Sequence, residues 1–125
     1  MSRRLILVLV TLSPAAPVAG QADSLPEGVT LAMIATGRGL FHGQGLCFSC
    51  HGQNGQGVAN LGPALSDPEW LHGDGTFTAI MARIAAGVPA DSAKTGVSMP
   101  PLGGSRLNDT QVRAVAAYVW SLRRR

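Results

Sequence analysis

Apolar residues recur at helical spacing in three places along the chain, with long aperiodic stretches between them. In "LAMIATGRGLFHGQGL", residues 31–46, Leu31 and Ile34 lead on to Leu40 and Phe41, which predicts a helix that Gly43 and Gly45 end. Gly37 and Gly39 inside it each cost roughly 1 kcal/mol relative to alanine, a cost that makes sense where another backbone must come close. A second helix is predicted in "TFTAIMARIAAG", with Ile80 and Ile84 on one face and Gly87 at its C-terminal end. The third is the clearest. In "LNDTQVRAVAAYVWSLRRR", Asn108 and Gln111 form a capping-box pair, and Val112, Val115, Val119 and Leu122 draw one apolar stripe. The terminal arginines suit the helix dipole.

Residues 52–73 and 88–105 are rich in turn formers and show little periodicity. No stretch reads as a strand, so the pattern predicts an all-α domain. A loop as long as 52–73 is unusual in so small a domain unless something fills the space beside it. Only three Phe, two Trp and one Tyr are available to fill it.

The first residues, "MSRRLILVLVTLSPAAPVAGQA", follow the plan of a secretory signal: Arg3 and Arg4, an apolar run from Leu5 to Leu12, then small residues before a cut near Asp23. That eight-residue run, with Thr11 in it, falls well short of the roughly 20 residues a spanning helix needs. The expected organisation is a cleaved signal at 1–22, a polar linker at 23–30 and a single domain at 31–125. The domain is expected in the periplasm, without stable membrane insertion once the signal is cut. Without Arg3 and Arg4, eight basic residues face seven acidic ones, so the exported part is near +1 rather than +3. Nothing resembles a basic nucleic-acid stripe.

The candidate chemistry lies in "LCFSCHGQNG", which holds the only two cysteines, Cys47 and Cys50, with His51 directly after them. A zinc site needs a second ligand pair, and His42, His51 and His72 are too far apart to provide one. A thioredoxin-like redox pair belongs at a helix N-terminus after a strand, and no strand precedes this one. A structural disulfide across two residues would close almost no loop. The remaining reading is C-x-x-C-H, the attachment motif of c-type haem. Thioether bonds from Cys47 and Cys50 would fix the porphyrin edge and place His51 under the iron. The haem would also supply the missing apolar bulk.

With that motif in place, residues 31–122 resemble a class I c-type cytochrome, the small monohaem family. The resemblance implies a cytochrome c fold of three to four helices whose long loops wrap one covalently bound haem c. It implies a crossing of the first and last helices at a glycine and aromatics, to which Gly37, Phe41 and Tyr118 correspond. It also implies a downstream methionine as second iron ligand, and "GVSMPPLGG" offers Met99. Met33 and Met81 lie among helical apolar positions and read as core. His42 and His72 are rival ligands, the first too close to the motif on its own helix. By the same resemblance the Pro63 carbonyl accepts a bond from His51, and Trp70 points its N–H toward a haem propionate. Arg83 and Arg106 are candidates to pair with propionates.

The function so implied is single-electron transfer between redox partner proteins, by a carrier and not an enzyme in itself. The competing readings are a dedicated cytochrome subunit of a larger periplasmic oxidoreductase, and a sensor or peroxidase-like protein with a displaceable sixth ligand.

Overall fold

Four α-helices and one 3-10 turn follow one another in the computed structural model, which describes residues 24–124. The expected export signal lies outside the described residues. Helix α1 spans Leu31–His42; the Thr30 hydroxyl caps it by accepting from the Met33 amide at 3.1 Å. It stops at Gly43, whose amide donates to the Gly39 carbonyl. Helix α2, Phe48–His51, is a single turn that is too short to leave a periodic signal in the sequence. Helix α3, Phe77–Ala86, begins at Thr76, whose hydroxyl accepts from the Ala79 amide. Asp74 braces that cap by accepting from both the amide and the hydroxyl of Thr76, which holds its carboxyl below the usual range. A 3-10 turn at Pro101–Gly104 precedes α4, Asp109–Leu122. The expected capping box is formed: Asn108 Oδ1 accepts from the Gln111 amide at 2.9 Å, and Gln111 Oε1 accepts from the Asn108 amide at 3.0 Å.

Helices α1 and α4 cross at Gly37. A Cβ there would overlap the Ala114 carbonyl and press on Tyr118 Cβ, so only glycine lets the two backbones approach this closely. Phe41 and Tyr118, fully buried, meet edge-on beside the crossing with ring centroids 5.2 Å apart. Gly39 plays no such part, since a Cβ at that position would meet nothing.

Helix α4 is more deeply enclosed than one stripe implies. Val112, Ala114 to Trp120 and Leu122 are all buried. Small side chains at Ala114, Ala116 and Ala117 let neighbours close in around it, with α1 and α3 both packed against it. Val29, in the segment expected as a linker, also joins the core.

Strand-like pairing among the described residues is confined to two isolated bridges, Val58 with Gly62 and Val88 with Met99. No helix of the described residues is long and apolar enough to cross a membrane.

Candidate cofactor site

After α1 the chain turns sharply. The Gly45 amide donates to Leu40, the Leu46 amide donates to Gly43, and Leu46 itself sits at φ +52°. That turn delivers Cys47 to the start of α2, where the His51 amide donates back to the Cys47 carbonyl at 3.0 Å. Positions three and four apart share a helix face, so Cys47, Cys50 and His51 stand side by side. Gly52, at φ +80°, ends the turn.

The two thiols are free, not bridged. Burial pushes the Cys47 thiol up to about 11, with a smaller upward push from Cys50 and a backbone hydrogen bond opposing both. A redox-active pair needs the opposite, a thiol lowered toward neutrality, so the thioredoxin-like reading fails on electrostatics as well as on topology.

His51 is buried, and its Nδ1 lies 2.9 Å from the Pro63 carbonyl oxygen. A carbonyl only accepts, so Nδ1 carries the proton and Nε2 keeps a free lone pair. Burial lowers the imidazole's pKa, the Pro63 bond opposing it. The carbonyl reaches the ring because Gly62 lies flat against the Cys50 backbone, where a Cβ would overlap the Cys50 carbonyl.

Met99 comes from the loop after α3 and is held by its backbone. Its amide donates to the Val88 carbonyl at 2.9 Å, and its carbonyl accepts from the Val88 amide at 2.8 Å. Gly87, at φ +70°, lies so close that a Cβ would overlap the Met99 carbonyl. The methionine is thus pinned to the end of α3 although its loop has no regular structure.

These elements surround one cleft with about 1240 Å³ of atom-free space, its open mouth included. Cys47, Cys50, His51, Pro63 and Met99 all line it. Phe41, Ile80, Ile84, Val88, Val115 and Val119 supply apolar walls. Trp70, Arg83 and His72 line it too, whereas Arg106 is exposed and outside it. His42 is also outside. Its Nδ1 and Nε2 face the Arg38 and Gln53 carbonyls at 2.9 and 2.7 Å, so both ring nitrogens are already engaged.

Three buried side-chain atoms of the described residues lack a hydrogen-bond partner: Trp70 Nε1, Arg83 Nε and Arg123 Nε. All three are N–H donors, and what they lack is an acceptor. The site therefore combines two thiols, an imidazole with a free Nε2, a thioether, apolar walls and donors awaiting anions. That set fits a haem, whose vinyls, iron, faces and propionates match it in turn. The Arg123 donor lies outside the cleft lining, beside Trp70 although 53 positions from it in the sequence.

Comparison with known proteins agrees. The family model described as cytochrome c matches residues 34–123. The chain is 38% identical over 97 residues to a cbb3-type cytochrome c oxidase subunit CcoP of Azospirillum brasilense, covering 74% of this chain and 32% of that protein. It is 41% identical over 78 residues to the cbb3-type cytochrome c oxidase subunit FixPc of Rhizobium leguminosarum bv. viciae, covering 61% and 26%. A CcoP subunit of Rubrivivax gelatinosus is 36% identical over 78 residues, covering 62% and 23%. The chain thus spans about a quarter to a third of the length of these relatives. No solved structure gave a significant match.

Proposed function

Because the chain belongs to the cytochrome c family, whose members carry covalently bound haem c and move electrons, we propose that it is the cytochrome c part of a larger oxidoreductase, working on the periplasmic side of a membrane. The subunit reading rests on the relatives, which are named as subunits of cbb3-type oxidases. It stands ahead of the free shuttle, the first expectation from the sequence, because these relatives are named as oxidase subunits. The near-neutral charge of the exported part also suits an electron path inside an assembly better than long-range electrostatic steering.

The observation that carries the electron-transfer reading is the cleft itself, with Cys47, Cys50 and His51 on one helical face and Met99 pinned by Val88. Cys47 and Cys50 would hold the haem through thioethers. His51, with its proton fixed on Nδ1 by Pro63, would offer Nε2 to the iron, and Met99 would offer its sulfur. The bound haem supplies a one-electron ferrous–ferric couple. With His51 and Met99 both holding the iron, no coordination position would be left for a substrate. The chain's residues then have three tasks: to hold the iron, to exclude water with the walls from α3 and α4, and to meet the propionates with the donors of Trp70 and Arg83, which line the cleft.

Haem staining of denatured protein and a pyridine-haemochrome spectrum test the cofactor; protein exported with a working haem-attachment system and lacking covalent haem would overturn it. Mild detergent purification of the tagged chain from its source tests the subunit reading. Stable recovery with a catalytic oxidase or dehydrogenase subunit supports it, and recovery as a lone soluble protein returns the free carrier.

A further inference from the structure

The unpartnered donors are not scattered. Arg123, at the C-cap of α4, places its guanidinium over the Trp70 ring, 5.3 Å from the centroid. Its Nη2 donates to the Pro68 carbonyl at 2.7 Å. Gly75, at φ +74°, lies against the same spot: a Cβ there would overlap both the Cδ1–Nε1 edge of Trp70 and Nη1 of Arg123. One hypothetical atom can clash with both groups only if the indole N–H edge and the guanidinium converge there. Two of the three buried N–H groups without an acceptor, Trp70 Nε1 and Arg123 Nε, therefore belong to one cluster. The loop from 66 to 75 is otherwise poor in long-range bonds, and the Pro68 contact ties it to the last helix.

A buried donor left unpaired has lost its bonds to water without a replacement, and a cation beside an indole strengthens the call for a negative charge. Trp70 lines the cleft; Arg123 does not. We propose that Arg123 is a positioning residue for the haem: by stacking on Trp70 and clamping the 66–75 loop, it holds the indole as a donor to a haem propionate and biases the iron's redox balance through it. The inference rests on the haem reading above. The other ionisable groups lining the cleft are Cys47, Cys50 and His51, Glu69 and His72 on the same loop as Trp70, Arg83 on α3 and Lys94 on the loop beyond it.

Potentiometric titration across pH on the haem-loaded protein tests this with Arg123→Gln, Arg123→Lys, Trp70→Phe and the Arg123→Gln/Trp70→Phe double variant. Without the clamp the indole no longer donates to the propionate, whose less compensated negative charge favours the ferric state, so Arg123→Gln is expected to lower the midpoint potential and move its propionate-linked pH dependence to higher pH. Arg123→Lys keeps the charge but not the flat stacking fork, and should recover the potential only in part. Because the effect runs through the indole, it should largely vanish in the Trp70→Phe background. A merely structural clamp would predict otherwise: loosening the loop hydrates the carboxylate, and its titration would not move upward. Additive effects of the two substitutions, or a wild-type pH profile in Arg123→Gln, overturn the inference alone. A wild-type protein without a haemochrome spectrum overturns the haem reading and this inference together.

Discussion

Met99 shows how a single side chain can be placed by backbone bonds on either side of it. Its amide and carbonyl are both committed to Val88, and Gly87 leaves room for that carbonyl to come close. The residue is thus held at the cleft wall by a pair of backbone bonds rather than by helical packing. Met99→Ala keeps those backbone bonds, since alanine retains the amide and the carbonyl. We expect the variant to fold and hold haem, with a lower reduction potential and a ferrous iron that binds carbon monoxide. Loss of the weak near-infrared band of a methionine–ferric bond is the direct check, and a wild-type protein that already binds carbon monoxide readily argues against Met99 as the ligand. At this scale the sequence was most informative where chemistry sits in consecutive residues. Cys47, Cys50 and His51 need only one helical turn to meet, so their spacing was enough to suggest their joint role. The Pro63 carbonyl was legible only through family resemblance, because any carbonyl at any position could accept the His51 proton. Arg123 was not legible at all. It reads as one of three basic residues suited to a helix end, and its stacking on Trp70 depends on how the whole chain closes.

At the scale of elements, two glycines in one helix separate packing from propensity. The sequence charges Gly37 and Gly39 alike, since both sit inside α1. The structure splits them: a Cβ at 37 would overlap the Ala114 carbonyl, and a Cβ at 39 would meet nothing within 4 Å. Gly37→Ala should therefore force α1 away from α4, at a cost of about 1–3 kcal/mol or more. Gly39→Ala should stabilise the protein by about 0.5–1 kcal/mol, by relieving the glycine penalty in a helix interior. Urea unfolding of the two haem-loaded variants against wild type measures both. Equal effects of the same sign would mean that α1 does not cross α4 at residue 37. Helices α1, α3 and α4 are legible in the sequence because each is long enough for its apolar period to repeat, and α4 also carries the Asn108–Gln111 capping pair. Helix α2 was not, since four residues hold barely one turn. The full enclosure of α4 was hidden for a different reason: Ala114, Ala116 and Ala117 are too small to weigh in a hydrophobic pattern, yet their smallness is what lets neighbouring elements close around the helix.

The whole molecule has an incomplete interior when counted in protein atoms alone. Phe41, Ile80, Ile84, Val88, Val115 and Val119 belong both to the buried residues and to the lining of the cleft. The same side chains thus form the inner face of α1, α3 and α4, with Val88 just beyond α3, and the lining of the cleft. Around them, residues 52–73 and 88–100 carry almost no regular backbone pairing that could hold them in place without something to wrap. Gly55, against Leu122, and Gly62, against Cys50, show how closely the loop after α2 nonetheless follows the helical layer. A domain of this size has little spare core, so losing the haem should cost more than a binding site. Cys47→Ala/Cys50→Ala, which cannot form either thioether, is expected to keep much of its far-UV helical signal, because the α1–α4 crossing with Phe41 and Tyr118 needs no cofactor. It should lose near-UV signal, bind a hydrophobic dye and unfold without a sharp transition, the signature of a compact but unpacked state. The long loops should become the first sites cut by limited proteolysis, since nothing then lies beneath them. A variant that melts cooperatively, with loops as resistant as those of the haem-loaded protein, would show that the helices and loops form a complete core alone. The cleft would then be a preformed pocket, and the thinness of aromatic residues in this chain would need another cause.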